Sequence, residues 1–305
     1  MGHKMADLKY VKKTDAEAFT VSRMLRMFSL QSLVRLTIGA AGAAFSPVPL
    51  GWQRSLIAWK CFDIKSYLNL FVENIVVASH ERELLKLARE RPAKEKCADL
   101  VSVVIPTFNR SNLLVSRSVP SILRQTYKNF EIIVVGDHCI DDTESKLKAF
   151  NDSRIKFVNL SKRGNYPKDP YLRWLVAGVA PTNAGAKIAS GDWIAHLDDD
   201  DEFSEDHLEV LLKYALNNNY EMVYGVGEME TRDGNWVEIG SPIIRDGICH
   251  SASIFKAYLK CFNYDINSWK MKEPADFNLW RRMERAGVRM GFLNVVVAKH
   301  FKERN

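Results

Sequence analysis

Trp193-Ile-Ala-His-Leu-Asp-Asp-Asp-Asp201 joins a short apolar run directly to four consecutive carboxylates. An apolar run of this length reads as a buried strand. The same pattern occurs twice upstream. Val101-Ser-Val-Val-Ile105 leads into Pro106-Thr107-Phe108-Asn109-Arg110, and Glu131-Ile-Ile-Val-Val135 leads into Gly136-Asp137-His138. Between and after these runs the sequence predicts helices at 112–125, 142–150 and 204–216. It also predicts a helix ending over Ala184–Ala189 before Gly191, and further strands at 155–160 and 222–227. Alternating strands and helices imply an α/β domain with a mostly parallel sheet flanked by helices. Ligands of such sheets sit beyond the carboxyl ends of the strands. All three polar clusters fall there.

The aspartate run is the sharpest chemical signal. Carboxylates this close raise one another's pKa or demand a cation. A hard divalent ion with oxygen ligands, Mn²⁺ or Mg²⁺, meets that demand and leaves positions for phosphate oxygens. Helix capping is the plainer use. Ser204 stands where an N-cap is expected, with Glu205 and Asp206 in the first turn, so four further acids exceed what capping needs.

Further out, the chain divides in two. Residues 1–98 read as a helical, basic extension and residues 99–305 as the α/β domain. Residues 1–60 hold nine Lys/Arg against three acids, which accounts for the whole net charge of +6. The remainder balances at 34 of each. A balanced body argues against a nucleic-acid partner. A basic, apolar-rich end, with a helix over 22–38, points to an anionic membrane surface instead. Packing on the α/β domain is the plainer use of the extension, and homodimerisation through a helix at 62–90 is a third. The uncharged stretch 36–53 contains Gly39, Gly42, Pro47, Pro49 and Gly51, which makes a poor spanning helix. The first twenty residues mix charges and lack the apolar run of a signal peptide. Five scattered cysteines with no C-x-x-C pair fit a reduced cytoplasmic interior. Together these features place the protein in the cytoplasm, peripheral on the inner face of the membrane.

Taken in order, Val101 to Arg110, Glu131 to Asp137, Asn183-Ala-Gly185, Ala189 to Ile194 and Leu197 to Asp201 resemble the family-2 glycosyltransferases. The resemblance covers about residues 100–301 and leaves the first hundred outside. It implies a Rossmann-like GT-A fold and transfer of a sugar, with inversion, from a nucleoside diphosphate-sugar, typically a UDP-sugar, to a carbohydrate or lipid-linked acceptor. Surface polysaccharide or glycolipid synthesis is the family's habit. By the same resemblance, Pro106, Thr107, Asn109 and Arg110 line the nucleoside pocket, Asp137 bonds the base, and Asn183 lies on the donor side. Asp198 to Asp200 form the D-x-D element. Asp200 is its leading metal ligand, with Asp198 beside it, while Asp198 and Asp199 reach the ribose or sugar. His300 is a further metal ligand.

Inversion requires a base for the acceptor hydroxyl. The resemblance puts it in Glu273-Pro-Ala-Asp276, with Asp276 first and Glu273 second. Asp276 is also placed to cap a helix at 277–286 that ends at Gly287. His250-Ser251 falls near the expected acceptor side. Three departures concern the donor. Gly136 replaces one acid of the usual pair, and Thr182 replaces an arginine whose work falls to Arg163 or Arg173. The stretch 164–181 is longer than usual, as a donor-side loop or lid would be. Two other functions compete. A nucleotidyltransferase would need a Gly-rich loop after the first strand, where Pro106-Thr107-Phe108 stands. A catalytically inactive GT-A-like scaffold binding membrane or carbohydrate would not need the acids Asp137, Asp198, Asp200 and Asp276.

Overall fold

A computed structural model describes residues 64–90, 99–243 and 247–302. The expectations for residues 1–60 and the cysteines Cys61 and Cys97 lie outside the described residues. Compact units meet between Val76 and Val77. The first contains helix α1 (Ile64–Val72), followed by a π-helical turn over Glu73–Val77. Among the described residues, no helix is long and apolar enough to cross a membrane.

The second unit starts with helix α2 (Ala78–Glu90). Then come β1 (Val101–Thr107), the short helices α3 (Ser111–Leu113) and α4 (Val119–Leu123), β2 (Phe130–Gly136), α5 (Thr143–Lys148) and β3 (Ile155–Asn159). Helices α6 (Pro170–Trp174) and α7 (Val179–Ile188) lead to β4 (Trp193–His196). The chain continues through β5 (Glu202–Phe203), α8 (His207–Asn217), β6 (Met222–Glu230), β7 (Trp236–Ile239), β8 (Ser253–Lys256), α9 (Ala275–Ala286) and β9 (Met290–His300).

These strands form one sheet in the order β3-β2-β1-β4-β8-β6-β9-β5, with β7 beside β6. The first four are parallel, as the alternation with helices requires. Every residue of β1, β2 and β4 is buried because helices cover both faces. Side chains alternate between two cores: Val104, Ile133, Val135 and Ile194 face one, and Val103, Ile105, Ile132 and Val134 the other. A Cβ on Gly185 would stand 2.4 Å from a Val104 methyl, so only glycine lets α7 lie this close to β1. Beyond β4 the sheet becomes mixed. β8 runs antiparallel to both β4 and β6, and β6 and β9 pair in parallel. Ser253-Ile-Phe-Lys256 is too short and plain to announce itself as a strand.

Two capping expectations change. Helix α8 starts at His207, and the Ser204 hydroxyl donates to Asp206 (2.9 Å) instead of capping the helix through its side chain. The aspartates are not caps either, because β5 separates them from α8. Asp276 lies inside the first turn of α9, with Pro274 at the cap position. Gly287 closes that helix in a left-handed conformation, as expected (φ 92°).

Buried ion pairs tie α2 to the α/β unit. Glu81 is 2% exposed and accepts from Arg282 Nε (2.5 Å) and an Arg285 guanidinium nitrogen (2.6 Å), both on α9. Glu221, fully buried before β6, accepts from Arg89 at 2.7 Å through each oxygen, from the Arg289 N–H (2.7 Å) and from the Tyr258 hydroxyl (2.6 Å). Removing one partner of such a pair leaves a desolvated charge, so Glu81→Ala is expected to destabilise the protein by about 3 kcal/mol. A fall in the urea midpoint measures it, and an unchanged midpoint would show that water replaces the carboxylate. Burial opposes the charge on Glu221 and Glu131, but their hydrogen bonds outweigh it and hold both at about 2, against an ordinary 4.5. A depressed carboxylate stabilises the fold above its unfolded pKa and loses that stabilisation as pH falls towards the folded one. The urea midpoint is therefore expected to decline as pH drops from 4.5 towards 2.

Candidate active site

After β4, buried Leu197 leads into the aspartate run, and β5 then pairs antiparallel with β9. The four carboxylates have different partners. Asp199 accepts from the Thr107 hydroxyl (2.6 Å) and lies 3.3 Å from the Arg110 guanidinium. Asp200 takes the same guanidinium at 2.8 Å. Asp198, a third exposed, faces His250 Nδ1 at 3.1 Å. Asp201 is fully buried. It accepts from the Ser251 hydroxyl (2.8 Å) and the Phe301 N–H (3.1 Å), and faces His300 Nδ1 at 3.0 Å.

Ligand atoms of Asp198, Asp201 and His300 all lie within 4.8 Å of one another, close enough to share one ion. Two carboxylates and an imidazole suit a divalent cation, and open solvent on the Asp198 side leaves room for further oxygen ligands. The electrostatics differ from one carboxylate of the run to the next. Burial, then the neighbouring aspartates, push Asp200 up to about 7. Burial pushes Asp199 up to about 6 against its bonds to Thr107 and Arg110. Asp201 is also raised, chiefly by burial. Burial opposes the charge on Asp198, but the charge and hydrogen bond of His250, with smaller contributions from His300 and His196, together move it down. The bond to Asp201 carries His300 up to about 9.

Sequence reasoning omitted Asp201 from this group and gave Asp200 the leading place. Here Arg110 draws the Asp200 carboxylate towards the end of β1. No local signal separates Asp201 from its neighbours. Strand register does: Glu202 pairs with Lys299, which sets Asp201 across from His300.

Asp276 sits in the first turn of α9 and accepts the Phe277 N–H (2.8 Å). Burial raises its pKa, against the nearby His250 charge. His250 rises to about 9: burial lowers it, but the charges of Asp198, Asp276 and Asp201 prevail. Glu273, the second candidate base, is occupied by Arg281 (2.7 Å) and Asn278 (3.0 Å).

On the donor side, buried Asp137 accepts the Gly164 N–H (2.9 Å), with Arg163 Nε 3.7 Å away. The Arg163 guanidinium lies 3.6 Å above the centre of the Phe108 ring. Pro106 lies in β1 against Gly178. Asn109 takes a left-handed conformation (φ 53°) and its side-chain Oδ1 accepts the Ile140 N–H (2.9 Å), joining the loops after β1 and β2. Arg173 is exposed on α6, and the Thr182 hydroxyl bonds within its own helix to Gly178 (2.8 Å). Asn183 is the outlier. Both ends of its amide bond the Tyr264 backbone at 2.9 Å. The Tyr264 hydroxyl then sits 3.0 Å from both His250 Nε2 and His196 Nδ1. Tyr264 and His196 were not foreseen, since nothing local marks a buried aromatic as part of a site.

The sequence pattern of the family described as "Glycosyl transferase family 2" matches residues 102–167 and 179–271. The chain belongs to this family. Among curated proteins it is 36% identical over 126 residues to the Escherichia coli UDP-Glc:alpha-D-GlcNAc-diphosphoundecaprenol beta-1,3-glucosyltransferase WfgD, covering 41% of this chain and 45% of that protein. It is 38% identical over 138 residues to the Campylobacter jejuni GalNAc(5)-diNAcBac-PP-undecaprenol beta-1,3-glucosyltransferase, covering 44% of this chain and 40% of that one. The matches thus span less than half of either relative. Among solved structures, S. aureus TarS 1-349 in complex with UDP-GlcNAc superposes with a TM-score of 0.55 at 17% identity, covering 67% of this chain and 59% of that chain. The fold is that of the GT-A glycosyltransferases, as the sequence predicted.

Asn183, Tyr264 and His250 form a hydrogen-bonded line ending on Asp198. Groups that orient a metal ligand typically change metal affinity by about 10–100-fold. Tyr264→Phe is therefore expected to raise the Mn²⁺ concentration needed for half-maximal UDP binding about tenfold. Calorimetry with and without the metal measures this, and an unchanged Mn²⁺ requirement would show that the hydroxyl does not orient Asp198.

Proposed function

We propose that this chain is a metal-dependent, inverting glycosyltransferase that moves a sugar from a UDP-type donor to a lipid-linked acceptor. The observation that carries the proposal is the convergence of Asp198, Asp201 and His300 at the carboxyl end of β4, beside the Thr107–Asp199–Arg110 cluster. A bare acidic patch would not bury one carboxylate and aim an imidazole at it.

Asp137 and Arg163 hold the nucleoside, with Pro106, Thr107 and Asn109 shaping the loop around it. Asp198, Asp201 and His300 hold Mn²⁺ or Mg²⁺. When bound, the ion offsets negative charge that develops on the departing diphosphate. Arg110, now on Asp199 and Asp200, is a cation able to swing to that diphosphate once a metal ion offsets the charge of the aspartates. Asp276 takes the proton from the acceptor hydroxyl as it attacks the anomeric carbon opposite the leaving group. His250, beside both Asp198 and Asp276, keeps the two carboxylates from repelling each other.

A lipid-diphosphate acceptor is the chemistry named for both curated relatives, and WfgD is named for a UDP-Glc donor. Such an acceptor places the enzyme on the cytoplasmic face of a membrane, in surface polysaccharide or glycolipid assembly. The balanced charge of the α/β domain fits a small anionic donor better than nucleic acid. An inactive scaffold would have no use for a carboxylate held at the start of α9 facing His250.

Calorimetry with UDP and Mn²⁺ separates the roles. Asp198→Ala and His300→Ala are expected to abolish metal-dependent UDP binding. Asp276→Asn should keep that binding and lower transfer by about 10²–10⁴-fold. Normal turnover in Asp276→Asn would remove the assigned base, and UDP binding that ignores metal would remove the metal site.

A further inference from the structure

The family match breaks at 168–178, between its two segments. The fold puts an exposed aromatic surface in that break. Helix α6 opens at Asp169, whose carboxylate caps it by accepting the Leu172 N–H (2.9 Å). Tyr171 and Trp174 are three residues apart and so share a face. Their rings stack with centroids 6.4 Å apart, and they are 54% and 63% exposed. Arg173 on the helix, Lys168 just before it and Lys162 further back are all exposed. Asp169 is the only acid in residues 162–174, and capping occupies it.

Position adds a second argument. Directly after Trp174, Leu175 and Val176 enter the core. The Leu175 carbonyl accepts the N–H of Ala275 (2.8 Å), the first residue of α9 and the neighbour of Asp276. At the other end of the same stretch, Gly164 binds Asp137. The stretch 164–175 therefore runs from Asp137 to the start of the helix that carries the candidate base, with Trp174 directly before that junction.

We propose that α6 rests on an anionic phospholipid surface, with Trp174 and Tyr171 at the boundary between headgroups and acyl chains. Amphipathic aromatic rings are favoured at that depth. The three bases supply attraction to acidic headgroups. Seated in this way, the enzyme turns its acceptor side towards the membrane. The purpose of the contact rests on the proposed lipid-linked acceptor, but the contact itself is measured without donor, metal or acceptor. Its failure and the failure of the transfer assay are therefore separate results.

The test compares the full-length protein with Trp174→Phe on phosphatidylglycerol–phosphatidylcholine vesicles that carry brominated acyl chains. The difference in tryptophan quenching reports residue 174 alone, whatever residues 1–60 do on the same vesicles. Quenching is expected in the wild type and reduced in Trp174→Phe. The double variant Tyr171→Ser/Trp174→Ser should lower partitioning roughly tenfold, because binding scales with buried apolar area. Both side chains are exposed, so these variants keep their fold. Three results would overturn the proposal: equal quenching in wild type and Trp174→Phe, equal quenching on purely neutral vesicles, or a Trp174-dependent signal with a soluble oligosaccharide but none with vesicles.

Discussion

A fully buried carboxylate, Asp201, joins the three segments from which the site is built. It takes the Ser251 hydroxyl from the turn before β8, His300 from the end of β9, and the Phe301 N–H beyond it. An unpaired carboxylate in that position would be costly. Its bonds therefore hold the aspartate run, the His250 turn and the end of β9 in one arrangement. The opposite edge of the run is held from β1, through Thr107 and Arg110 on Asp199 and Asp200. Beside these anchors Asp198 stays a third exposed.

Further support comes from residues behind the aspartate run. Asn183 on α7 fixes the Tyr264 backbone, and the Tyr264 hydroxyl steadies His250 against Asp198. His196 stacks on His250 with centroids 5.3 Å apart, and burial holds its pKa well below the ordinary value. A neutral imidazole there avoids a second buried cation beside His250. Likewise, α9 presents Asp276 at one end while its Arg282 and Arg285 are gripped by Glu81 of α2. Both helices lie outside the matched family segments, so this chain adds its own brace to the helix bearing the candidate base.

Much of this architecture was legible in the sequence. Buried parallel strands need uninterrupted apolar residues, so β1, β2 and β4 stood out, and the polar clusters after them marked the ligand-binding end of the sheet. The break at 168–178 fell within the stretch that had looked too long. Less legible were β8, only four residues long, and the cap of α8, where Ser204 turned to Asp206. Asn183 had a family motif to recommend it, while its two bonds to the Tyr264 backbone came only with the fold.

Local pattern alone determined the family, the parallel part of the sheet and the place of the aspartate run, because strand burial and turn chemistry act over a few residues. The division of labour within the run depended on tertiary structure. Four identical side chains in a row carry no information about which partner each will meet. The antiparallel register of β5 on β9 set Asp201 against His300, and Arg110 drew Asp200 towards β1. Those partners lie 99 and 90 residues away along the chain. Only the folded sheet brings them within hydrogen-bond reach.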